Sequence, residues 1–125
     1  MRTVDRGLIK RLRNMTVKDI VEKLNLKVLG GEGGLMNEIT GAYTSDLLSD
    51  VMGNIEDGNV WITLQTHKNV MAVASLRDSS AIILVANYPP EPDMLEKANE
   101  EDLPVLQTEL GAFEISGKLY QLLNS

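Results

Sequence analysis

From residue 59 onward the chain alternates three times between a short apolar run and a segment of helical periodicity. The run 59-NVWITL-64 precedes a predicted helix over 67–77, 81-AIILVA-86 precedes one over 92–101, and 104-PVLQT-108 precedes one over 111–123. Runs that stay apolar without a two-residue alternation belong to strands buried on both faces, so helices must cover both sides of the sheet. Three successive strand–helix units imply parallel strands joined by right-handed crossovers. The predicted fold class is α/β, with three layers in the order α/β/α.

The preceding half widens that sheet to about five strands. Thr16 followed by Asp19 has the form of a capping box, and Val17, Ile20, Val21 and Leu24 recur at helical spacing, which predicts a helix over 17–25. The segment 26-LKVLGG-31 reads as a strand running into the glycines of 30-GGEGG-34, and 39-ITGAY-43 as a second strand. The glycine-rich stretch lacks the Gly-Lys-Ser/Thr ending of a phosphate-binding P-loop and leads into Leu35 and Met36, so it reads as a turn. In 44-TSDLLSDVMGN-54, Thr44 or Ser45 is expected to cap a short helix that Gly53 ends.

Composition narrows the chemistry. With no cysteine and a single histidine, the chain has no disulfide, no thiol nucleophile and no multi-ligand zinc site, which suits a reducing, cytoplasmic setting. No apolar run approaches the roughly 20 residues that span a bilayer, so no membrane association is expected. Residues 1–14 hold five basic residues and one acid, whereas the rest holds 7 basic against 17 acidic residues. Such an acidic body repels phosphate backbones, and nucleic acid is not an expected partner. The basic stretch at 1–14 reads as an N-terminal extension, and 15–125 as a single α/β domain. Asp46 and Asp50 stand four apart, but like charges at that spacing are ordinarily just solvated, so no metal or other cofactor is expected.

Ligands of open parallel sheets bind beyond the carboxyl ends of the strands, close to helix N-termini whose free amides attract anions. Three segments occupy that position here: Gln65, Thr66, His67, Lys68 and Asn69 after one strand, Asn87 after the next, and Thr108 after the last. Thr66 is expected to cap the helix that follows, with Asn69 completing the cap, and Lys68 adds a positive charge. His67 has no serine or cysteine paired with it in the sequence, and no dinucleotide fingerprint precedes the helix, so binding is expected here and turnover is not.

The last helix carries two apolar stripes. Ala112, Ile115, Leu119 and Leu122 form one; Phe113, Gly117 and Tyr120 form the other. Two stripes suit two packing partners, either the sheet and a second subunit or two faces of one core.

The segments 40-TGAYTSDLLSDVM-52, 60-VWITLQTHKNVMAVASL-76, 81-AIILV-85, 104-PVLQT-108 and 111-GAFEISGKLYQLL-123 together resemble the DRTGG domain over roughly residues 15–124. The resemblance implies a mixed, mostly parallel sheet between helices, similar to the N-terminal domains of HPr kinase and Mur ligases. It also implies a bacterial regulatory or accessory module, often dimeric, rather than an enzyme. Together with the rim this gives the expectation of a small anionic or nucleotide-like ligand, the alternative being a protein-interaction adaptor for a metabolic or hydrogenase-type redox complex. Where many members carry Asp-Arg and Thr-Gly-Gly, this chain has His67-Lys68 or Lys68-Asn69, and Val85-Ala86-Asn87. The pair Ser45 and Asp46, retained within TSDLLSDVM, is therefore the better candidate to carry over as a ligand contact.

Overall fold

A computed structural model of the protein describes residues 14–125; the basic extension, apart from Asn14, lies outside them. Five strands form one sheet in the order β1-β5-β4-β3-β2, comprising Lys27–Gly30 (β1), Gly41–Thr44 (β2), Asn59–Thr63 (β3), Ala81–Leu84 (β4) and Val105–Gln107 (β5). β2, β3, β4 and β5 run parallel, and β1 joins β5 antiparallel. The helices are α1 (Val17–Leu24), α2 (Leu48–Asn54), α3 (Lys68–Leu76), α4 (Pro92–Glu101) and α5 (Ala112–Leu123). The fold is three-layered α/β/α with a mixed, mostly parallel sheet.

The path of the chain decides which helix covers which face. Each step β2 to β3, β3 to β4 and β4 to β5 moves one position in the same direction, so right-handed crossovers place α2, α3 and α4 on one face. α5 leaves β5 and returns over the opposite face, against β2 and β3 and beside α1. Alternation along β3 feeds both cores: Trp61 enters the α2–α3–α4 side with Ile82 and Met94, while Val60 and Ile62 enter the α1–α5 side with Ile20, Ile115 and Leu119. All of these side chains are fully enclosed.

The local signals of α1 act as its sequence implies. Asp19 N–H donates to Thr16 Oγ1 at 3.3 Å and Thr16 N–H to Asp19 Oδ2 at 2.9 Å, a complete capping box. α2 differs from expectation at both ends. Thr44 is taken up by pairing with Ile62 in the sheet, so the helix starts only at Leu48, after Leu47 and with no side-chain cap. It then runs through Gly53 to Asn54, because an ideal Cβ at Gly53 meets nothing within 4 Å and no positive backbone angle is required there. Among the described residues no helix is long and apolar enough to cross a membrane.

Candidate ligand-binding site

The carboxyl ends of the four parallel strands line up along one rim of the sheet. Thr63 pairs with Leu84 and Leu84 with Gln107, so the segments that follow β3, β4 and β5 emerge side by side. Ser45 and Asp46 follow β2 at the same rim. The antiparallel β1 brings its first residue, Lys27, opposite Gln107.

Asp46 fastens the outer end of this rim. Its Oδ1 accepts from Thr63 Oγ1 at 2.8 Å and from Leu64 N–H at 2.9 Å, while Gln65 Nε2 donates back to the Asp46 carbonyl at 2.9 Å. Ser45 sits inside this clasp: its carbonyl accepts from the buried Trp61 Nε1 at 2.8 Å, and its Oγ accepts from Leu47 N–H at 3.2 Å. The Ser45–Asp46 pair thus holds β2 to β3, and that structural task accounts for much of its hydrogen bonding. Replacing Asp46 with alanine is expected to cost about 2–3 kcal/mol, since two bonds to a charged acceptor are lost and the buried Thr63 hydroxyl loses its acceptor. Asp46→Asn, which retains a carbonyl oxygen, should lose less; urea titrations of the two variants measure the difference.

Beside the clasp lies a network that the sequence did not announce. Tyr43 O–H donates to both carboxylate oxygens of Asp50 at 2.9 Å, and Asn54 Nδ2 donates to the carbonyl and Oδ1 of Asp50 at 3.0 Å. The Ser45 hydroxyl and then the Tyr43 hydroxyl hold the Asp50 carboxyl below its ordinary range, and in return the bond to Asp50 holds the Tyr43 phenol above its own. Asp46 and Asp50, four apart in sequence, are therefore engaged in separate bonds, and among the described residues no group of acids or histidine could hold a metal. Strand alternation puts Tyr43 on the α2 face, but only the fold shows that it meets Asp50.

The strand-to-helix segment 65–69 departs from expectation in its cap. The residue before α3 is His67, extended at φ −111° and ψ 170°, and it makes no side-chain capping bond. Thr66 stands one residue too early to cap; its carbonyl instead accepts from Glu91 N–H at 2.8 Å, tying this segment to the start of α4. Asn69 completes no cap. Lys68 and Asn69 are exposed in the first turn, and among the described residues no acceptor takes their backbone N–H groups. This uncapped helix end is open to solvent.

Between these segments the chain leaves β4 through two consecutive left-handed residues, Ala86 at φ 54° and Asn87 at φ 57°. Glycine adopts such angles freely, whereas alanine pays a steric cost of about 1–2 kcal/mol. The segment that follows β5 holds the turn in place: Ala86 N–H donates to the Leu110 carbonyl at 2.8 Å and Asn87 N–H to the Thr108 carbonyl at 2.9 Å. Thr108 is 7% exposed and its Oγ1 accepts from Leu110 N–H, so it shapes the loop from within, while the Asn87 side chain is exposed. The rim therefore divides into Ser45, Asp46 and Gln65 at one end, residues 66–69 leading into α3, and Asn87 with Thr108 at the ends of β4 and β5. A recess of about 480 Å³ lies off the rim; it runs between α3 and α4, lined by Met71, Ala72, Ser75, Leu76, Lys97 and Glu101, and meets the rim at Lys68 and Asn69.

The alternating parallel sheet, its rim and the clasp on β2 define an α/β module of a recognised kind. The chain belongs to the DRTGG domain family, whose model matches residues 19–122. Among solved structures it is similar to the CBS and DRTGG domains of the regulatory region of Clostridium perfringens pyrophosphatase, crystallised with the activator diadenosine tetraphosphate. The TM-score is 0.66 at 15% identity, over 84% of this chain and 45% of that one, so the likeness lies in the fold and this chain spans less than half of that regulatory region. No curated protein matches the sequence.

Proposed function

We propose that this chain is a non-enzymatic regulatory or accessory domain of the cytoplasm, working as a homodimer and binding a small anionic, nucleotide-like ligand at the strand-end rim. The observation that carries the reading is membership of the DRTGG family together with a fold shared with a regulatory region that was crystallised with a dinucleotide activator. The rim supplies a matching chemistry. The uncapped α3 N-terminus offers free amides and a partial positive charge, Lys68 adds a full charge without a side-chain partner among the described residues, and Asn87 offers an exposed amide.

Calorimetry with diadenosine tetraphosphate and with ATP tests the reading. Lys68→Ala is expected to weaken binding roughly tenfold or more, the worth of a hydrogen bond to a charged group, and to change folding stability by no more than about 0.5 kcal/mol, as for an exposed surface residue. Thr66→Ala is expected to be neutral for stability, since it removes no cap. Highly purified protein should release no phosphate from either nucleotide. Absence of binding at millimolar ligand sinks the rim reading. A second reading, an adaptor for another protein, draws on the α3–α4 recess, where Leu76 is 69% exposed over an apolar floor. An intact rim reading with Leu76→Ser silent in every assay would remove it.

A further inference from the structure

The α3 and α4 segments are tied together at both ends and stand apart between them. At the rim the Thr66 carbonyl accepts from Glu91 N–H at 2.8 Å, and at the far end Ser75 Oγ donates to Glu101 Oε1 at 2.8 Å. Among the described residues no hydrogen bond crosses between these two ties. The recess of about 480 Å³ occupies the gap, a volume in the range of small-molecule sites, roughly 300–1,000 Å³. Closed at each end by a tie, it suits a compact ligand better than a long helix of another protein.

Its chemistry is graded along α3. Lys68 stands at the rim end, Met71 and Ala72 line the middle, and the Ser75–Glu101 pair lies at the far end beside Leu76. A nucleoside phosphate carries the complementary series: an anionic phosphate, a flat ring with apolar faces and, on adenine, an amino group that donates hydrogen bonds. From Lys68 to Ser75 the helix rises about 10 Å, over which such a molecule can stretch.

We infer that the recess holds the nucleoside half of the rim ligand, with the phosphate at Lys68, an adenine-type base against Ala72 and Leu76, and its amino group donating to the Glu101 carboxylate. The inference rests on the rim reading above and adds to it the class and orientation of the ligand. Ser75 holds one oxygen of Glu101, and the other accepts nothing among the described residues, so it is free to accept from the base. The reverse orientation would set a phosphate against that carboxylate, like charge against like. Lys97 adds a second cation to the wall, because its exposed pairing with Glu100 at 3.3 Å is a weak one. Leu76, 69% exposed, gains cover from the base.

Calorimetry on the full chain with ATP, inosine triphosphate and inorganic tripolyphosphate separates this inference from the reading beneath it. ATP should bind about tenfold more tightly than inosine triphosphate, whose ring has an oxygen in place of the amino group, the worth of one hydrogen bond to a charged acceptor. Tripolyphosphate, which has no base, should bind more weakly still. Glu101→Gln should erase the preference for ATP over inosine triphosphate, since an amide can donate to the inosine oxygen, whereas Lys68→Ala should weaken all three ligands alike. Ala72→Trp, at an exposed position, fills the recess; it should lower ATP to the affinity of tripolyphosphate and leave the urea midpoint unchanged. Equal affinity for the three ligands overturns the inference and leaves the rim reading standing. ATP binding that Ala72→Trp does not alter has the same meaning. Absence of binding by all three at millimolar concentration overturns both.

Discussion

Trp61→Ala is expected to remove about 3–5 kcal/mol of stability, the range for deleting a fully buried aromatic side chain, and so to bring a domain of ordinary stability close to unfolding. Trp61 has no exposed surface and stands on β3 at the centre of the α2–α3–α4 core, among Val51, Val70, Ile82 and Met94. Its second role is at the rim: the indole N–H reaches the Ser45 carbonyl at 2.8 Å. The two roles separate in Trp61→Phe, which keeps an aromatic ring in the core and drops the donor. That variant should lose less, about 1–2 kcal/mol for the smaller volume and the unpaired carbonyl, and the loss should fall on the segment 45–46. Urea unfolding followed by circular dichroism ranks the two, and hydrogen exchange at Leu64, whose N–H the Asp46 carboxylate holds, reports on the rim. Equal losses in both variants would mean that the indole N–H contributes nothing.

Gly31→Ala is the second large effect, at about 3 kcal/mol or more once left-handed strain and overpacking act together. Gly31 has φ +73°, and a Cβ there would stand 2.2 Å from the Leu103 carbonyl oxygen and 2.7 Å from Pro104 Cα. Both neighbours are backbone, with little freedom to move aside. The residue's N–H also donates to Asn99 Oδ1 of α4 at 2.8 Å, so the clash pries the loop off the helix it is bonded to. Gly53→Ala is the control, because open space surrounds that Cβ and alanine suits a helix better. A Gly31→Ala protein with a wild-type urea midpoint would refute the packing account. The glycines of GGEGG are thus more than a turn: they let a loop lie directly on the junction between α4 and β5.

Features encoded by neighbours in sequence were legible, and those decided by distant segments were not. The Thr16–Asp19 capping box involves groups three residues apart and reads directly. The periodicities of α3, α4 and α5 reflect a core that recurs at every turn, so their limits fall within about a residue of expectation. The sheet class followed from the uninterrupted apolar runs, which only double burial explains. Thr66 misled because capping preference is local, whereas the start of α3 is set by where β3 and the Glu91 contact deliver the chain. Thr44 and Ser45 misled for the same reason, since the extent of β2 depends on its partner β3. The rim itself was legible as a topological consequence. What each of its residues does was not: nothing near Asp46 in sequence shows that its carboxylate will bind Thr63 and Leu64.

The reversal of β1 against β5 bears on the order in which the chain can fold. Lys27 finds its partner in Gln107, and Val28 in Leu106, so within this domain the earliest described strand docks on the latest. Until then β1 has no strand to pair with, and the core that takes up Val17, Ile20 and Leu26 lacks Leu106, Ile115 and Leu119. β2, β3 and β4 need no such delay, because each pairs with the strand next to it in sequence. Non-local pairing of this kind slows folding and leaves apolar surface uncovered in the interim. Strand addition in sequence order therefore builds this sheet from its β2 edge across to β5, with the earlier strand β1 joining last at the far edge.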